Sequence, residues 1–163
     1  MFRRRYTLSL LAMEIGVLFA HSVHSPSFNE YGPLDGFIHC GDGARDFEQL
    51  RNWLLKDNPQ AELWQVSGNC DFAPSLPDWT VIEQENVRIL ITHGHRFHVK
   101  SDLNLLDQFA EKQGCVLTLY GHTHIANWEM RSTLLVNPGS VRQGRAALLT
   151  LNDGQFDAKL LEY

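Results

Sequence analysis

Short apolar runs alternate with amphipathic segments along this chain, and most of the apolar runs end at a glycine beside a polar residue. Apolar runs bounded by turn residues are typical of buried strands, whereas apolar residues spaced by three and four positions are typical of helices. The alternation predicts strands joined by helices, followed by a strand-rich second half. We therefore expect an α/β fold of four layers, with two sheets packed face to face and helices outside.

The predicted elements follow directly from these patterns. Helices are expected over residues 45–56 and 102–113, where leucines and aromatic residues recur on one face. Strands are expected over residues 15–20, 36–40, 62–66, 79–84, 87–92, 116–120, 128–130, 134–136, 146–151 and 158–161. In layered α/β folds the ligand site lies beyond the carboxyl ends of the strands, so the residues that follow each strand are the first candidates for function.

The start of the chain raises the question of where the domain begins. Arg3, Arg4 and Arg5 followed by apolar residues resemble a signal peptide, but Glu14 interrupts the apolar stretch. A second methionine, Met13, directly precedes the predicted strand 15–20. We expect residues 1–12 to be an extension outside the domain and residues 13–163 to form a single domain.

Composition narrows the classes of partner. The formal net charge is −5 and the basic residues are scattered apart from those at positions 3–5, which disfavours nucleic-acid binding. No apolar run approaches the ~18 residues of a membrane span. Three cysteines without a C-x-x-C pair indicate free thiols in a reducing compartment, so we expect a cytoplasmic protein. The oligomeric state stays open, with a homo-oligomer among the expectations.

Histidine, aspartate and asparagine cluster at five strand exits, which are residues 21–25, 41–42, 68–71, 92–95 and 121–124. Glycine beside these residues permits the sharp turns that several ligands need to converge on a small volume. Imidazole nitrogen together with carboxylate and amide oxygen suits Mn, Zn, Fe or Ni better than Ca. Each segment alone is also compatible with an ordinary turn, so the hypothesis of a metal site rests on the whole set in this order.

The same segments resemble the motifs of a known family. They read GD at 41–42, GNCD at 68–71, THGH at 92–95, GHTH at 121–124 and NPGS at 137–140. In this order they are similar to the calcineurin-like metallophosphoesterases, specifically the small bacterial and archaeal phosphodiesterase branch. The resemblance implies a double β-sandwich and two divalent cations, with Mn preferred and Ni, Fe or Zn as alternatives. It implies hydrolysis of small phosphodiesters, and also of phosphomonoesters, with a metal-bound hydroxide as the nucleophile.

The resemblance also implies roles for individual residues. Asp42 corresponds to the carboxylate that bridges the two cations. Asn69, His93 and His122 correspond to the other ligands of one cation, and together with Asp42 they form the expected catalytic set. His24 and His124 correspond to ligands of the second cation.

One position departs from the family pattern. The family has Asp-x-His-Gly after its first strand, whereas this chain has Ser22 and His24 there. Serine is neutral and binds cations poorly, so the first metal position is expected to be impaired. A natural divergence and a sequence error over residues 19–31 both stay open. The alternative function is a non-catalytic protein-binding module on the same fold, resembling the small subunit of the eukaryotic retromer.

Overall fold

The structure, a computed structural model, describes residues 6–11, 34–57, 59–72 and 75–162. Two helices are present in these ranges, α1 (Ala44–Asp57) and α2 (Asn104–Lys112). The strands are β1 (Tyr6–Leu11), β2 (Gly36–His39), β3 (Glu62–Gln65), β4 (Trp79–Gln84), β5 (Val87–Thr92), β6 (Leu117–Leu119), β7 (Asn127–Met130), β8 (Leu134–Asn137), β9 (Arg145–Asn152) and β10 (Gln155–Glu162). Short 3-10 turns occupy His95–Phe97 and Val141–Gln143.

The described strands form two five-stranded sheets. Sheet A has the order β10-β9-β1-β2-β3 and sheet B the order β4-β5-β6-β8-β7. β1, β2 and β3 run parallel in sheet A, and β5, β6 and β8 run parallel in sheet B. Antiparallel strands complete both sheets, including the hairpins β4–β5 and β9–β10. Each sheet therefore has a block of parallel strands whose carboxyl ends lie at one edge.

The two sheets pack face to face through an apolar layer. Its fully buried members come from both sheets and include Ile38 of β2, Ile89 and Ile91 of β5, Leu119 of β6 and Leu149 of β9. Alternate residues of a strand point to opposite faces. Leu90 accordingly leaves this layer and packs on the outside of sheet B.

The helices cover the outer faces of the sheets. α1 packs on sheet A through Phe47 and Leu50. α2 packs on sheet B through Leu106 and Ala110, which lie in the same apolar cluster as Leu90. Helix, sheet, sheet and helix form the four layers, so the α/β double β-sandwich predicted from the sequence is confirmed.

The first strand of the described residues is one that the sequence pattern does not predict. β1 at Tyr6–Leu11 pairs with β2 on one side and β9 on the other, so these six residues belong to sheet A and are not part of an extension over residues 1–12. The 24 residues between β1 and β2 are enough for the crossover of a dozen or more residues that parallel strands need. The predicted strand 15–20 lies outside the described residues, and a single domain over residues 13–163 stays a prediction.

All three cysteines lie within the described residues. Cys40, Cys70 and Cys115 are free thiols, the first and third buried and the second exposed. Over the described ranges, none of the helices has the length and apolar character needed to cross a membrane.

A buried carboxylate ties α2 to the turn between β7 and β8. Asp107, 7% exposed, accepts N–H groups from Ser132 at 3.2 Å and Thr133 at 2.9 Å, and the Thr133 hydroxyl at 3.2 Å. The Thr133 hydroxyl also contacts that of Thr118 on β6 at 3.1 Å. Burial alone raises the pKa of Asp107, but hydrogen bonds from Thr133 and Ser132 outweigh it and hold the pKa below its usual range.

We expect Asp107→Asn to lower the free energy of unfolding by ~1–3 kcal/mol at pH 7, because an amide cannot accept all three donors. The pKa of Asp107 is lower in the folded protein than in the unfolded protein, where it is ~3.9, so the ionised carboxylate stabilises the fold above about pH 3.9. This stabilisation is lost as pH falls through the pKa of the folded protein. The difference between wild type and variant is therefore complete at pH 7 and shrinks below about pH 4, as urea titrations would measure.

The matched control is Asp157→Asn, at an exposed position on β10, for which we expect a change within about 0.5 kcal/mol. A difference between Asp107→Asn and wild type that stays the same from pH 7 down to about pH 2 would show that the charge of Asp107 does not stabilise this turn.

Candidate metal centre

The carboxyl ends of four strands from the two sheets bring the predicted ligands into one region. Asp42 follows β2, Asn69 follows β3, His93 follows β5 and His122 follows β6. The side chains of Asp42, Asn69 and His122 each contact the side chain of His93. The structure thus brings together four of the six residues predicted as metal ligands, and their role as ligands remains a prediction.

His93 is the centre of this cluster. Its side chain is 2% exposed, and its Nδ1 lies 2.8 Å from the carbonyl oxygen of Cys40. A carbonyl can only accept, so Nδ1 carries the proton in this contact. Nε2 then faces Asp42 Oδ2 at 3.3 Å, Asn69 Oδ1 at 3.2 Å and His122 Nδ1 at 3.1 Å.

These contacts need a positive charge to be favourable. In the neutral tautomer of His93, Nε2 offers a lone pair to two oxygens that are themselves acceptors. Acceptors placed 3.2–3.3 Å apart repel one another unless a proton or a cation lies between or beside them. The arrangement around Nε2 is therefore suited to a proton on His93 or to a bound cation.

The donor atoms fit a divalent cation in type and in spacing. Ligand atoms held ~2.0–2.2 Å from a cation lie ~3–3.5 Å from one another, which matches the separations around Nε2. Among the described residues, no group of three or more His, Cys, Asp or Glu side chains is already arranged to hold a metal ion. A cation would replace some of these direct contacts.

Three of the predicted ligands have a left-handed backbone. Asp42, His122 and His124 have φ values of 59°, 70° and 58°. This conformation is uncommon outside glycine, although Asp and His adopt it more readily than most residues. The other described non-glycine residues of this kind lie in hairpin turns or at the end of a 3-10 turn, namely Glu85, Asn86, Asp153 and His98. Left-handed residues other than glycine concentrate at functional sites, where surrounding contacts hold them in place.

Asp71 fixes the loop that carries Asp42. Its carboxylate accepts four backbone N–H groups at 2.9 Å each, from Asp42, Gly43, Ala44 and Gly68. Burial alone raises the pKa of Asp71, but these four hydrogen bonds outweigh it and lower the pKa. The GNCD motif predicts Asn69 as a ligand and assigns no role to Asp71. The signal was present, because an aspartate beside a turn commonly accepts nearby backbone N–H groups.

Gly68 allows the two loops to approach this closely. A Cβ atom on Gly68 would lie 2.6 Å from Cγ of Asp42, which is closer than real side chains come. The backbone N–H of Cys70 can therefore reach Asp42 Oδ1, to which it donates at 2.8 Å. Asp42 consequently has one oxygen held by the backbone and the other turned toward His93.

Asn137, the first residue of the NPGS segment, holds the loop that carries His122. Its side-chain nitrogen donates to the Gly121 carbonyl at 2.9 Å and to the Thr123 hydroxyl at 3.0 Å. Its side-chain oxygen accepts the N–H of Gly139 at 2.9 Å. Asn137 is therefore a positioning residue that connects β8 to the Gly121–Thr123 turn.

The ionisation states of the cluster favour cation binding. Burial raises the pKa of Asp42, but hydrogen bonds from His93 and from the Cys70 N–H outweigh this and lower the pKa to about 2. Burial and the neighbouring His93 lower the pKa of His122 to about 4. At neutral pH Asp42 is therefore a carboxylate and His122 a neutral imidazole, which are the forms that bind metal ions.

Two further histidines lie close by. The ring centroid of His95 is 5.3 Å from that of His93, and its buried Nδ1 has no hydrogen-bond partner among the described residues. Burial, followed by the nearby His93, lowers the pKa of His95. His39 is fully buried and its ring stacks on that of Phe47, with the ring centroids 4.9 Å apart, so it packs within the fold.

The remaining predicted ligands are less completely described. His124 lies in the turn two residues after His122 and is half-buried. Its predicted role for the second cation stays a prediction. His24 and Ser22 lie outside the described residues, and so does the predicted strand before them.

We expect Gly68→Ala to lower the free energy of unfolding by about 3 kcal/mol, because the new methyl group overlaps the Asp42 side chain. The matched control is Gly154→Ala, where φ is 82° and no atom lies within 4 Å of the new Cβ. That variant suffers only the backbone cost of about 1 kcal/mol. Equal losses in chemical denaturation would contradict the close approach of the two loops.

Comparisons with known proteins identify relatives of this chain. Residues 22–152 match the calcineurin-like phosphoesterase superfamily domain. A probable metallophosphoesterase of Bacillus subtilis is 36% identical over 128 residues, which cover 74% of this chain and 70% of the relative. A phosphodiesterase of Methanocaldococcus jannaschii is 26% identical over 170 residues, which cover 93% of this chain and 96% of the relative.

Solved structures show the same fold. A protein of Streptococcus pneumoniae described as a predicted phosphoesterase has a TM-score of 0.73 at 24% identity, covering 99% of this chain and 91% of its own. Vps29 of Entamoeba histolytica has a TM-score of 0.71 at 18% identity, covering 96% and 99%. The match over most of the chain, together with the sequence relatives, shows that this chain belongs to the calcineurin-like phosphoesterase superfamily.

Proposed function

We propose that this protein hydrolyses small phosphodiesters with the help of two divalent cations, for which Mn is preferred over Ni, Fe and Zn. Asp42, Asn69, His93 and His122 would hold one cation, with Asp42 shared between the two, and His24 and His124 would contribute to the other. The observation that carries the proposal is the convergence of Asp42 Oδ2, Asn69 Oδ1 and His122 Nδ1 on Nε2 of His93. A relative that is named a phosphodiesterase supports the choice of diester over monoester.

When bound, paired cations polarise the phosphoryl oxygens and acidify the attacking water. In the reaction the water oxygen would bond to phosphorus and the bond to the leaving oxygen would break, while the proton lost by the water passes to the leaving group or to solvent. The chain's own residues supply fixed positions. The Cys40 carbonyl orients His93, Asp71 fixes the Asp42 loop, and Asn137 holds the loop of His122.

Proton supply to the leaving group is weak in this site. Cys70 directly follows Asn69, is exposed, and accepts a hydrogen bond from the Asn69 side-chain nitrogen at 3.3 Å. A thiol gives up its proton near pH 8.5, so it is a poor general acid at neutral pH. We therefore expect faster cleavage of esters with good leaving groups, such as aryl phosphodiesters, than of alkyl ones.

The proposal also covers the substrate, the cellular compartment and the partners of the protein. We expect a small phosphodiester substrate in the cytoplasm, and neither nucleic-acid binding nor membrane association is expected from the charge and hydropathy pattern. Ser22 in place of the family aspartate is expected to weaken one cation position. A binding module without catalysis is the alternative, favoured by Ser22 alone.

The experiment combines metal quantification with hydrolysis of bis(4-nitrophenyl) phosphate in added Mn²⁺. We expect wild type to bind metal and turn over, His93→Ala to lose at least about 100-fold in kcat/KM, and Ser22→Asp to gain in metal content and rate. His98→Ala is the matched control, because His98 is exposed in the turn that follows His95.

Loss of activity and metal in His93→Ala with an unchanged His98→Ala supports the proposal. Bound metal without hydrolysis in wild type or in Ser22→Asp would instead favour the binding module. Absence of both metal and activity would overturn the proposed site.

A further inference from the structure

β7 is an edge strand with an apolar face. In sheet B it pairs with β8 on one side and has no strand on its other side within the described residues. Trp128 lies opposite Val136 of β8, which belongs to the apolar layer between the sheets, and Met130 lies opposite another residue of that layer. Residues directly opposite in a ladder point to the same face. Trp128 and Met130 therefore continue the apolar inner face to the edge of the sheet, where they are 40% and 68% exposed.

The backbone of β7 directs hydrogen-bonding groups outward at the same two residues. β8 lies between β6 and β7, and its residues alternate between these two neighbours. The N–H of Leu134 donates to a carbonyl on the β6 side at 3.0 Å, and the carbonyl of Val136 accepts an N–H from that side at 3.0 Å. The residues of β7 opposite them, Met130 and Trp128, therefore form the non-hydrogen-bonded pairs of the β7–β8 ladder. Their N–H and C=O groups point away from β8.

β7 lacks the features that usually block an additional strand. Edge strands of soluble proteins are commonly protected by charged side chains, proline or a bulge. β10, an edge strand of sheet A, follows this rule with the exposed charges of Asp157 and Lys159. β7 has one charged residue, Glu129, which lies on the outer face and pairs there with Arg131 at 2.6 Å. The edge of sheet B thus combines an apolar face with backbone groups to which a further strand can bind.

We propose that β7 pairs antiparallel with β7 of a second copy of this chain, across a two-fold axis at Trp128 that joins the B sheets of the two copies into one continuous sheet. An added strand supplies partners for the outward backbone groups, which an apolar surface or a helix does not. A second copy provides this strand with the same residues, because a two-fold axis brings one surface onto itself.

Charge and strand length select the position of the axis. The hydrogen-bonded pairs form between outward residues, so the axis passes at Trp128, at Met130 or midway at Glu129. An axis at Glu129 places two carboxylates directly opposite each other, which is destabilising. An axis at Met130 places most of β7 opposite the turn that follows it, because β7 ends at Met130. An axis at Trp128 overlaps Asn127–Glu129 of each strand and places the Glu129 carboxylate opposite an amide, that of Asn127 of the second copy.

This axis buries the apolar side chains that are exposed in the single chain. The two Trp128 residues lie opposite each other at a Cα separation of ~5.5 Å, which suits contact between their rings. Met130 lies diagonal to Trp128 of the second copy, and contacts between a thioether and an aromatic ring are favourable. Tryptophan and methionine are both enriched in the interfaces of protein complexes.

The first test is the mass of the full chain in solution, measured by sedimentation equilibrium over a range of concentrations. We expect wild type to reach twice the mass of the chain. Met130→Lys and Trp128→Lys are expected to raise the dissociation constant of the dimer by about tenfold or more, because an ammonium group replaces an apolar contact at the edge. Met130 is largely exposed in the single chain, so its variant keeps the fold, which thermal unfolding measures.

Leu160→Lys is the matched control, since Leu160 is also an exposed apolar residue on an edge strand, β10. It is expected to leave the dimer unchanged. A wild type that stays monomeric over the whole concentration range would overturn the proposal. So would a dimer that neither lysine variant of β7 weakens, or one that Leu160→Lys weakens in place of Met130→Lys.

The second test locates the axis by disulfide formation in a Cys70→Ser background, which removes the exposed native thiol. Trp128→Cys places two thiols at a Cα separation of ~5.5 Å, which is within the range of a disulfide. Met130→Cys is the control on the same face, because its two copies would lie four residues, ~14 Å, apart along the strands. We expect oxidation to produce a covalent dimer with Trp128→Cys and none with Met130→Cys.

The absence of a covalent dimer from Trp128→Cys, or its formation from Met130→Cys, would overturn the axis at Trp128. Neither the mass nor the disulfide measurement depends on hydrolysis or on a bound metal ion. Their outcome is therefore independent of the proposed function.

Discussion

Four backbone N–H groups from two loops converge on the carboxylate of Asp71, and the geometry of the site depends on this interaction. The donors lie after β2 and after β3, so one side chain joins the exits of two neighbouring strands. The same contact places Asp42 where the N–H of Cys70 and the ring of His93 can reach its two oxygens. Without this acceptor, four buried or half-buried donors would lose their partner, at a cost of ~1–3 kcal/mol each.

Much of the site could be predicted from the sequence, and the reason is topological. The carboxyl ends of parallel strands meet at one edge of a sheet, so polar residues that follow successive apolar runs come together. Asp42, Asn69, His93 and His122 each follow such a run, and the structure brings them into contact. The helices and the outer layers followed from the same patterns, because a periodicity of 3.6 residues identifies a face that must be buried.

Other features depend on three-dimensional partners that no local pattern specifies. The apolar pattern predicts a strand at 15–20, which lies outside the described residues, and it does not identify Tyr6–Leu11, which forms a strand through pairing with β2 and β9. The orientation of His93 comes from a carbonyl 53 positions away, at Cys40.

The most direct test is whether Mn²⁺ binds where the side chains converge on His93, which does not depend on activity. It uses diffraction from crystals soaked in Mn²⁺, recorded at wavelengths on both sides of the manganese absorption edge. Anomalous difference density adjoining Nε2 of His93, the carboxylate of Asp42 and the side-chain oxygen of Asn69 is the expected result. Density elsewhere on the molecule, or none at a concentration that saturates binding in solution, would show that these side chains meet for a reason other than holding a cation.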